Sequence, residues 1–308
     1  MRKAALPVLL VIACGGGDDG GNHDGDGGGG DGDGSTEQDA RPNDGNVGDG
    51  TPSVPGSLRF FGTGSGGIDR VEIAIDPQVP ADVGAGDFTI DFWVRTNSLM
   101  FTWAETCTTG ANGWQSANVV VDRDRMGNGD HGDYGIAITR GGIAFGVSQG
   151  AAGAGLCGTR NVVDGTWHHV AVTRVASTGA LSLYVDGNPD GTATGPTGDV
   201  SYRDGATGAA KDPFLVLAAE KHDTSGSRSF NGWMDELRIS TTVRYTAAFT
   251  PETMPYAVDA DTAALYHFDE GDGNALTDAR GMSPGDIKVG QTPTGTVPVW
   301  ASATPFLL

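Results

Sequence analysis

Basic residues are scarce in this sequence. Its 308 residues include 19 Lys and Arg against 39 Asp and Glu, which gives a formal net charge of −20 at pH 7. A charge of this sign makes nucleic acids and anionic membrane surfaces poor partners, whereas cations and neutral polymers remain as candidates. The sequence also has no apolar run long enough to span a bilayer and no sustained helical period, so neither a membrane-spanning helix nor a helical domain is predicted.

Enzymatic motifs are missing as well. The sequence contains no Gly-x-Ser-x-Gly elbow, no HExxH helix and no Walker loop. Glycosidases need two carboxylates flanking the scissile bond, which in β-sandwich enzymes are typically two glutamates spaced closely on one strand. The chain has only seven glutamates, and outside residues 15–54 no two of them lie within fifteen residues of each other. We therefore predict that the protein is not an enzyme, with polysaccharide hydrolysis as the less favoured alternative.

The N-terminal segment 1–14, which reads MRKAALPVLLVIAC, predicts a secretion signal. Two basic residues precede an apolar run that is too short to cross a membrane. The four residues from Val11 to Cys14 resemble a bacterial lipobox, which implies that the cysteine is lipidated and anchors the chain with at least two acyl chains. A chance apolar stretch ending in cysteine is the alternative. Because glycine rather than aspartate follows Cys14, the resemblance favours the outer membrane of the bacterial cell envelope.

Residues 15–54 are predicted to form a disordered, acidic linker. Between positions 15 and 52 the segment carries nine Asp, one Glu and one Arg, a formal charge of −9, and has no apolar pattern. Such a chain cannot bury a core, and its like charges keep it extended. Its Asp-Gly repeats do not complete a calcium-loop spacing, which favours a solvated spacer. Residues 53–308 keep a charge of −13 and have the length of one domain.

Two cysteines remain after Cys14 is assigned to lipid. Cys107 and Cys157 form an even pair in a chain that we expect to enter an oxidising compartment. A disulfide between them is predicted, and two buried free thiols are the alternative.

Short runs of β-forming residues fill the chain from residue 57 onward. Each run alternates, or nearly alternates, between apolar and polar residues, and turn-forming clusters separate the runs. The runs are SLRFFG, RVEIAID, FTIDFWVRT, NVVVDR, YGIAITR, IAFGVS, WHHVAVTR, LSLYVDG, FLVLAAE and GWMDELRIS. Ten strands at this spacing predict an all-β sandwich or barrel. The segment 244–253, RYTAAFTPET, is the one place where a helical turn is expected.

The adjacent histidines 168 and 169 raise the question of a paired metal or catalytic site. They lie in a predicted strand, where successive side chains point to opposite faces. His169 then shares a face with Trp167, whereas His168 shares the other with Val170. The two imidazoles therefore cannot chelate one ion together, and each is expected to pack or hydrogen-bond.

Four of these runs, in their order and spacing, resemble a known family. FTIDFWVRT, DGTWHHVAVTR, GALSLYVDG and FNGWMDELRIS are similar to motifs of the LamG-like jelly-roll domains, which belong to the concanavalin A-like lectin/glucanase superfamily and are related to laminin G modules and pentraxins. The resemblance covers about residues 55–305 and implies an antiparallel jelly-roll sandwich of two sheets over the predicted domain 55–308. Residues 263–281, which resemble the segment that usually introduces such a domain, come last here. We expect the C-terminal residues to add closing strands beside SLRFFG, with a truncated second repeat as the alternative.

The loop between NVVVDR and YGIAITR is rich in aspartate and glycine. It contains Asp122, Asp124, Asp130 and Asp133, and hard carboxylate oxygens on a flexible loop suit Ca²⁺. The EF-hand pattern fails at Met126. Solvated turn residues are the alternative for this loop considered alone.

A second acidic loop, LAAEKHDTSGSRSFNGWMDEL at 217–237, resembles the pentraxin segment that coordinates calcium. The resemblance implies that Glu220 is a ligand and that His222 or Asp223 is the next, with Asp133 in the position of the partner ligand. The expected cofactor is therefore Ca²⁺, held mainly by Asp133, Glu220 and Asp223.

Tryptophans provide the candidates for a sugar-stacking platform. Trp103 and Trp114 lie in a loop region, where an indole stacks on a sugar or, alternatively, covers an exposed edge. Trp93, Trp167 and Trp233 lie in strands and are predicted to belong to the core.

The sequence as a whole predicts a lipid-anchored surface protein in which a jelly-roll domain binds a glycan or an extracellular protein ligand through calcium. Nucleic acid is not an expected partner, and the membrane is expected to contact the protein only through the lipid anchor. A structural or adhesive surface protein without a dedicated small-ligand site is the alternative.

Overall fold

The computed structural model of the protein describes residues 56–63, 68–97, 107–110, 112–124, 131–150, 152–201, 214–222, 228–289 and 296–306. The chain divides into two compact units, Met1–Gly50 and Thr51–Leu308, and every described residue belongs to the second. The predicted signal, Cys14 and the linker lie outside the described residues. So do Trp103, Asp130 and Asp223.

Strands are the main regular secondary structure of the described residues. Their one short 3₁₀ helix is Gly113–Ser116. The strands are β1 (Ser57–Phe61), β2 (Arg70–Ala74), β3 (Phe88–Arg95), β4 (Asn118–Arg123), β5 (His131–Thr139), β6 (Gly142–Gln149), β7 (Ala152–Cys157), β8 (Trp167–Val175), β9 (Ala180–Val185), β10 (Asn188–Thr194), β11 (Phe214–Leu217), β12 (Arg228–Ser229), β13 (Asn231–Ser240), β14 (Thr262–Tyr266), β15 (Ala275–Leu276), β16 (Gly285–Lys288) and β17 (Val299–Ala301).

These strands form a sandwich of two sheets. The first sheet has the order β10-β9-β8-β3-β13-β1-β17, and β14 also pairs with β13. The second has the order β15-β16-β2-β11-β4-β5-β6-β7, and the short β12 pairs with β4. All of these pairings are antiparallel except β12 with β4. The predicted all-β jelly-roll sandwich is confirmed, and all ten predicted runs form strands.

The C-terminal residues complete both sheets. Strand β17 pairs with β1, with Trp300 opposite Leu58, and so covers the edge beside SLRFFG as expected. Strand β16 pairs with β2 in the second sheet, and β14 pairs with β13 in the first. The C-terminal strands therefore pair into both sheets of the sandwich. The helical turn expected over 244–253 is wrong, since this segment consists of bends and residues without regular secondary structure.

Most of the core lies between the sheets. Side chains such as Phe60, Phe92, Ile136 and Phe145 are fully buried there. A smaller apolar cluster lies on the other face of the second sheet, because alternate residues of a strand point to opposite faces. Its members are Trp114, Ala117, Val119, Ala137 and Ala144. Within the described part of the chain, no helix is both long and apolar enough to cross a membrane.

Candidate metal and ligand site

Two neighbouring strands of the second sheet bring the acidic loops together. Strands β4 and β11 are antiparallel neighbours, with Val216 opposite Asp122. Beyond β11 the chain turns at Ala218, which has a φ of 70°. The backbone N–H of Lys221 then donates to Oδ2 of Asp122 at 2.9 Å. This hydrogen bond holds the loop that follows β11 against the end of β4.

Asp124, Glu220 and His222 converge on one point of this surface. Each contributes one potential ligand atom, and the three atoms lie within 4.8 Å of one another. Nδ1 of His222 lies 3.2 Å from Oε1 of Glu220 and 3.5 Å from Oδ2 of Asp124. Asp124 and Glu220 are buried, and His222 is largely covered. Two carboxylates and an imidazole at this separation can hold a divalent cation.

Asp122 holds the backbone next to the cluster through two hydrogen bonds. Its Oδ1 accepts a hydrogen bond from the backbone N–H of Asp124 at 2.7 Å, while its Oδ2 accepts from Lys221. Burial, reinforced by the negative charge of Asp124, raises the pKa of Asp122 to about 7, although Lys221 opposes the shift. Asp122 thus positions the backbone of both loops and is not itself among the converging groups.

The predicted ligands do not all lie at one point. Glu220, Asp124 and His222 come together, whereas Asp133 stands beside the group without joining it. The ladder between β4 and β5 ends at the pair Arg123 and Tyr134, so Asp133 is the next residue on β5, on the side of the sheet that carries Asp124. Asp133 is buried, and its Oδ2 accepts a hydrogen bond from the hydroxyl of Ser148 at 3.3 Å. Asp130 and Asp223 lie outside the described residues and remain predictions.

Trp114 is not an exposed platform for sugars. Its indole is 1% exposed and packs over Gly135, where an added Cβ would overlap the ring. Nearby, Cys107 and Cys157 form the predicted disulfide. Cys107 packs against the Trp114 cluster, so this region covers the outer face of the second sheet. The alternative reading of Trp114, as a residue that covers an edge, agrees with its burial.

The strand tryptophans also differ from expectation. Trp93, Trp167 and Trp233 were predicted to be core, but all three are half-buried on the outer face of the first sheet. Sequence alternation places residues on one of two faces and does not say which face is covered. The tryptophans on the outer face are therefore the candidates for ligand contact that the sequence reasoning missed.

The adjacent histidines point to opposite faces, as alternation predicted. Nε2 of His169 lies 2.7 Å from the hydroxyl of Tyr256, under the segment that follows β13. Nδ1 of His168 lies 2.9 Å from Oδ2 of Asp186, in the turn after β9. Burial of His169 is complete. Both histidines thus have structural partners and do not form one metal site.

Comparison with known proteins agrees with this architecture. The Laminin_G_3 family model of the concanavalin A-like lectin/glucanases superfamily matches residues 66–248. No curated protein sequence matches the chain significantly.

Solved structures with similar folds include three proteins of different origin. A protein from Bacteroides ovatus with a provisional description as carbohydrate binding is 14% identical, with a TM-score of 0.48, over 76% of this chain and 58% of that one. The heptameric SAP-like pentraxin of Limulus polyphemus is 12% identical, with a TM-score of 0.40, over 63% of this chain and 79% of the pentraxin. Domains LG4-5 of the mouse laminin alpha1 chain are 18% identical, with a TM-score of 0.38, over 64% of this chain and 47% of theirs.

The family match covers more than half of the chain, the matched residues run from the loop before β2 through β13, and both sheets of the sandwich are built largely from them. This chain belongs to the Laminin_G_3 family of the concanavalin A-like lectin/glucanases superfamily.

Proposed function

We propose that the folded domain is a binding module that recognises a glycan or an extracellular protein ligand through a Ca²⁺ ion held at Asp124 and Glu220. The observation that carries the proposal is the convergence of Asp124, Glu220 and His222 within 4.8 Å. The sequence reasoning selected all three residues, and they lie on two loops separated by almost a hundred positions. Membership of a superfamily that includes lectins as well as glucanases supports binding as a role of the fold.

The donor set fits a hard cation in part. Ca²⁺ takes six to eight oxygen ligands, and two carboxylates supply at most four of them. The neighbouring Asp133 and the predicted ligands Asp130 and Asp223 are further oxygen donors in the same loops. Imidazole is a ligand of transition metals rather than of calcium. We therefore assign His222 the role of orienting Glu220 through the contact at 3.2 Å. A bound ion would offer its remaining coordination positions to hydroxyl or carboxylate oxygens of a ligand.

Binding rather than catalysis is the role that the sequence supports. The described residues of the cluster include one glutamate, Glu220, and no second glutamate lies within fifteen residues of it in the sequence. A glycosidase needs two carboxylates on opposite sides of the scissile bond. Turnover of laminarin, agar or xylan by the purified protein would reverse this assignment.

The calcium site is tested by titrating CaCl₂ into chelator-treated, full-length protein while its melting temperature is followed. An ion that binds the native state must raise the melting temperature. The variants Asp124→Asn and Glu220→Gln should abolish the rise, whereas Asp272→Asn, at an exposed position away from the cluster, should retain it. Absence of a shift at millimolar calcium would refute the site.

The ligand is tested by glycan-array binding with and without calcium. A saturable, sugar-specific and calcium-dependent signal supports the lectin-like function. A calcium shift without any glycan signal would instead favour a protein ligand, and absence of both would favour the structural or adhesive role.

Display at the cell surface is the second part of the proposal. The lipobox-like residues before Cys14 support lipid anchoring, and the acidic linker would act as the spacer between anchor and domain. About 40 extended residues reach on the order of 130 Å, enough to hold the domain clear of a membrane. The variant Cys14→Ser should move the protein from the membrane fraction to the soluble one, and mass spectrometry of the N-terminal peptide should show the acyl chains.

A further inference from the structure

Arginine and tryptophan alternate across four adjacent strands of the first sheet. Arg59 on β1 is opposite Trp233 on β13, and Trp233 is opposite Arg95 on β3. Arg95 is in turn opposite Trp167, the first residue of β8. All four side chains are half-buried and lie on the outer face of the sheet. We call these residues the Arg–Trp row.

The contacts within the row fix the orientation of both guanidinium groups. Cζ of Arg59 lies 4.4 Å from the ring centroid of Trp233, and Cζ of Arg95 lies 5.2 Å from it. Nη2 of Arg59 donates to Oδ1 of Asn231 at 2.7 Å, and Nε of Arg95 donates to the carbonyl of Gly165 at 2.8 Å. The two arginines are thus held in place before any ligand arrives, which lowers the entropic cost of binding.

Several groups of the Arg–Trp row nevertheless have no partner among the described residues. Within the described part of the chain neither Arg59 nor Arg95 forms an ion pair, whereas Arg238 and Arg123 each face a carboxylate at 2.8 Å or less. The Nη groups of Arg95 have no hydrogen-bond partner among the described residues. Trp167 likewise makes no ring or cation–π contact among them. Two positive charges without a carboxylate partner are unexpected in a chain with twice as many acidic as basic residues.

Asp69 is the carboxylate whose negative charge acts on Arg59. Its carboxylate accepts hydrogen bonds from the backbone N–H groups of Phe61 and Thr63, at 3.0 and 2.7 Å. Those bonds hold it in the turn after β1, so Asp69 influences Arg59 only across a distance. Arg59 also donates from Nη1 to the carbonyl of Gly232 at 3.2 Å and lies between the rings of Phe61 and Trp233. Its Nε and the second hydrogen of each Nη therefore remain for an external anion, together with both Nη groups of Arg95.

We propose that the Arg–Trp row binds a linear glycan that bears carboxylate groups, such as a uronate-containing polysaccharide. A guanidinium presents a planar fork of donors that matches a carboxylate bidentately. Arg59 and Arg95 are two strands apart, about 10 Å, which is close to the length of one disaccharide unit in an extended chain. Trp167 is half-buried at one end of the row, and the exposed part of its indole can stack on a sugar ring.

This site is independent of the proposed calcium site. The row lies on the outer face of the first sheet, whereas Asp124 and Glu220 lie on strands and loops of the second. The folded region carries a charge of −13, so long-range electrostatics oppose an acidic polymer. Binding of such a polymer would therefore report a local site rather than general attraction. If the Arg–Trp row only stabilised the sheet, the protein would not bind an acidic polymer there.

The test is calorimetric titration of full-length protein with polygalacturonate at fixed ionic strength, with neutral dextran as the negative control. Arg59→Gln and Arg95→Gln should each weaken polygalacturonate binding about tenfold, because each removes a charge-assisted contact. Arg160→Gln removes an exposed arginine elsewhere and should leave the affinity unchanged. Trp167→Ala should weaken binding about fivefold through lost stacking.

A charge-conserving variant protects the test against misfolding. The double variant Arg59→Lys and Arg95→Lys keeps both charges and loses the planar forks, so about tenfold weaker binding is expected. Wild-type affinity in this variant would overturn the proposal, as would equal loss in Arg160→Gln or equal binding of neutral dextran. Binding of dextran sulfate more than tenfold tighter than that of polygalacturonate would overturn the carboxylate assignment.

Chelation separates this proposal from the calcium site. Polygalacturonate binding should persist after chelator treatment, and the arginine variants should keep the calcium-induced rise in melting temperature. Loss of polygalacturonate binding on chelation would place the glycan at the metal cluster and refute the Arg–Trp row.

Discussion

Arg238 and Asp91 face each other across two adjacent strands of the first sheet. Nη2 of the arginine lies 2.8 Å from Oδ2 of the aspartate, and both side chains are almost completely buried. The hydroxyl of Tyr245 also donates to Oδ2 at 2.8 Å. Burial by itself would raise the pKa of Asp91, but interactions with His169 and Arg238 outweigh it and lower the pKa to about 2. The pair anchors the segment after β13 to the sheet.

Removal of one member of this pair should be strongly destabilising. Asp91→Ala leaves the buried guanidinium of Arg238 without its carboxylate, and we expect the free energy of unfolding to fall by about 3–5 kcal/mol. Because the folded pKa of Asp91 lies below its unfolded value near 4, its stabilisation is present above pH 4 and is lost as the pH falls toward 2. Urea denaturation at pH 7 and pH 3 measures both effects. A double variant, Asp91→Leu with Arg238→Met, should be markedly more stable than Asp91→Ala, and equal instability of the two would contradict this account.

His168 makes the free energy of unfolding depend on pH with a sign opposite to that of Asp91. The hydrogen bond with Asp186 is the main influence and raises the pKa of His168, burial opposes the shift, and Asp164 at 3.1 Å adds to it. A raised folded pKa stabilises the protein below the unfolded pKa of about 6.5, and this contribution is lost as the pH rises through the higher folded value. The free energy of unfolding should therefore decrease between pH 6 and pH 8, and His168→Gln should flatten the decrease. The hydrogen bond that His267 donates to Glu236 also raises the pKa of His267, so His267→Gln supplies the comparison variant. An unchanged pH profile in His168→Gln would argue against the effect.

Local sequence rules predicted much of this fold because its longer strands alternate clearly. The rules missed β7 and β10, which are glycine-containing edge strands with weak alternation. Pro189 lies in β10, where an edge position and a bulge accommodate a residue that cannot donate to the ladder. Edge strands carry less hydrophobic signal because one of their sides lacks a neighbour.

The sequence predicted the individual residues of the candidate site, but it did not predict how they are arranged in space. A bulge between Val119 and Val121 places both Val120 and Val121 in the core, and this sets the face on which Asp122 and Asp124 lie. The sequence NVVVDR contains no signal that predicts this bulge. The Arg–Trp row was missed for a related reason, since its members meet only through the register of four strands.

The disulfide should be a major source of stability. Cys107 and Cys157 are 50 residues apart, and closing a loop of this length contributes about 4 kcal/mol in the chain-entropy model. Reduction, or the double variant Cys107→Ala with Cys157→Ala, should lower the free energy of unfolding by roughly this amount. Urea denaturation with and without a phosphine reductant measures the loss. The reductant should have no effect on the double variant.

Trp114 should matter for stability and not for ligand binding. Trp114→Ala removes a fully buried indole and should cost about 3–5 kcal/mol. Gly135→Ala introduces a methyl group into the same contact and should cost about 1–3 kcal/mol through overpacking. Thermal denaturation ranks these variants, and folded Gly135→Ala should bind polygalacturonate with wild-type affinity. If Trp114→Ala lost polygalacturonate binding without losing stability, Trp114 would instead be a ligand-binding residue.

His222 discriminates between the cations that the acidic cluster can hold. If calcium is the ion, His222 only orients Glu220, and His222→Gln should preserve a calcium-induced rise in melting temperature with an affinity reduced by less than about tenfold. If a transition metal such as Zn²⁺ is the ion, the imidazole is itself a ligand, and the same variant should lose most of the metal affinity. Parallel titrations of Ca²⁺ and Zn²⁺ into chelator-treated wild type and His222→Gln measure the difference. Calcium affinity that disappears with the histidine, while Asp272→Asn retains it, would contradict a purely orienting role, because a hard cation has little affinity for nitrogen.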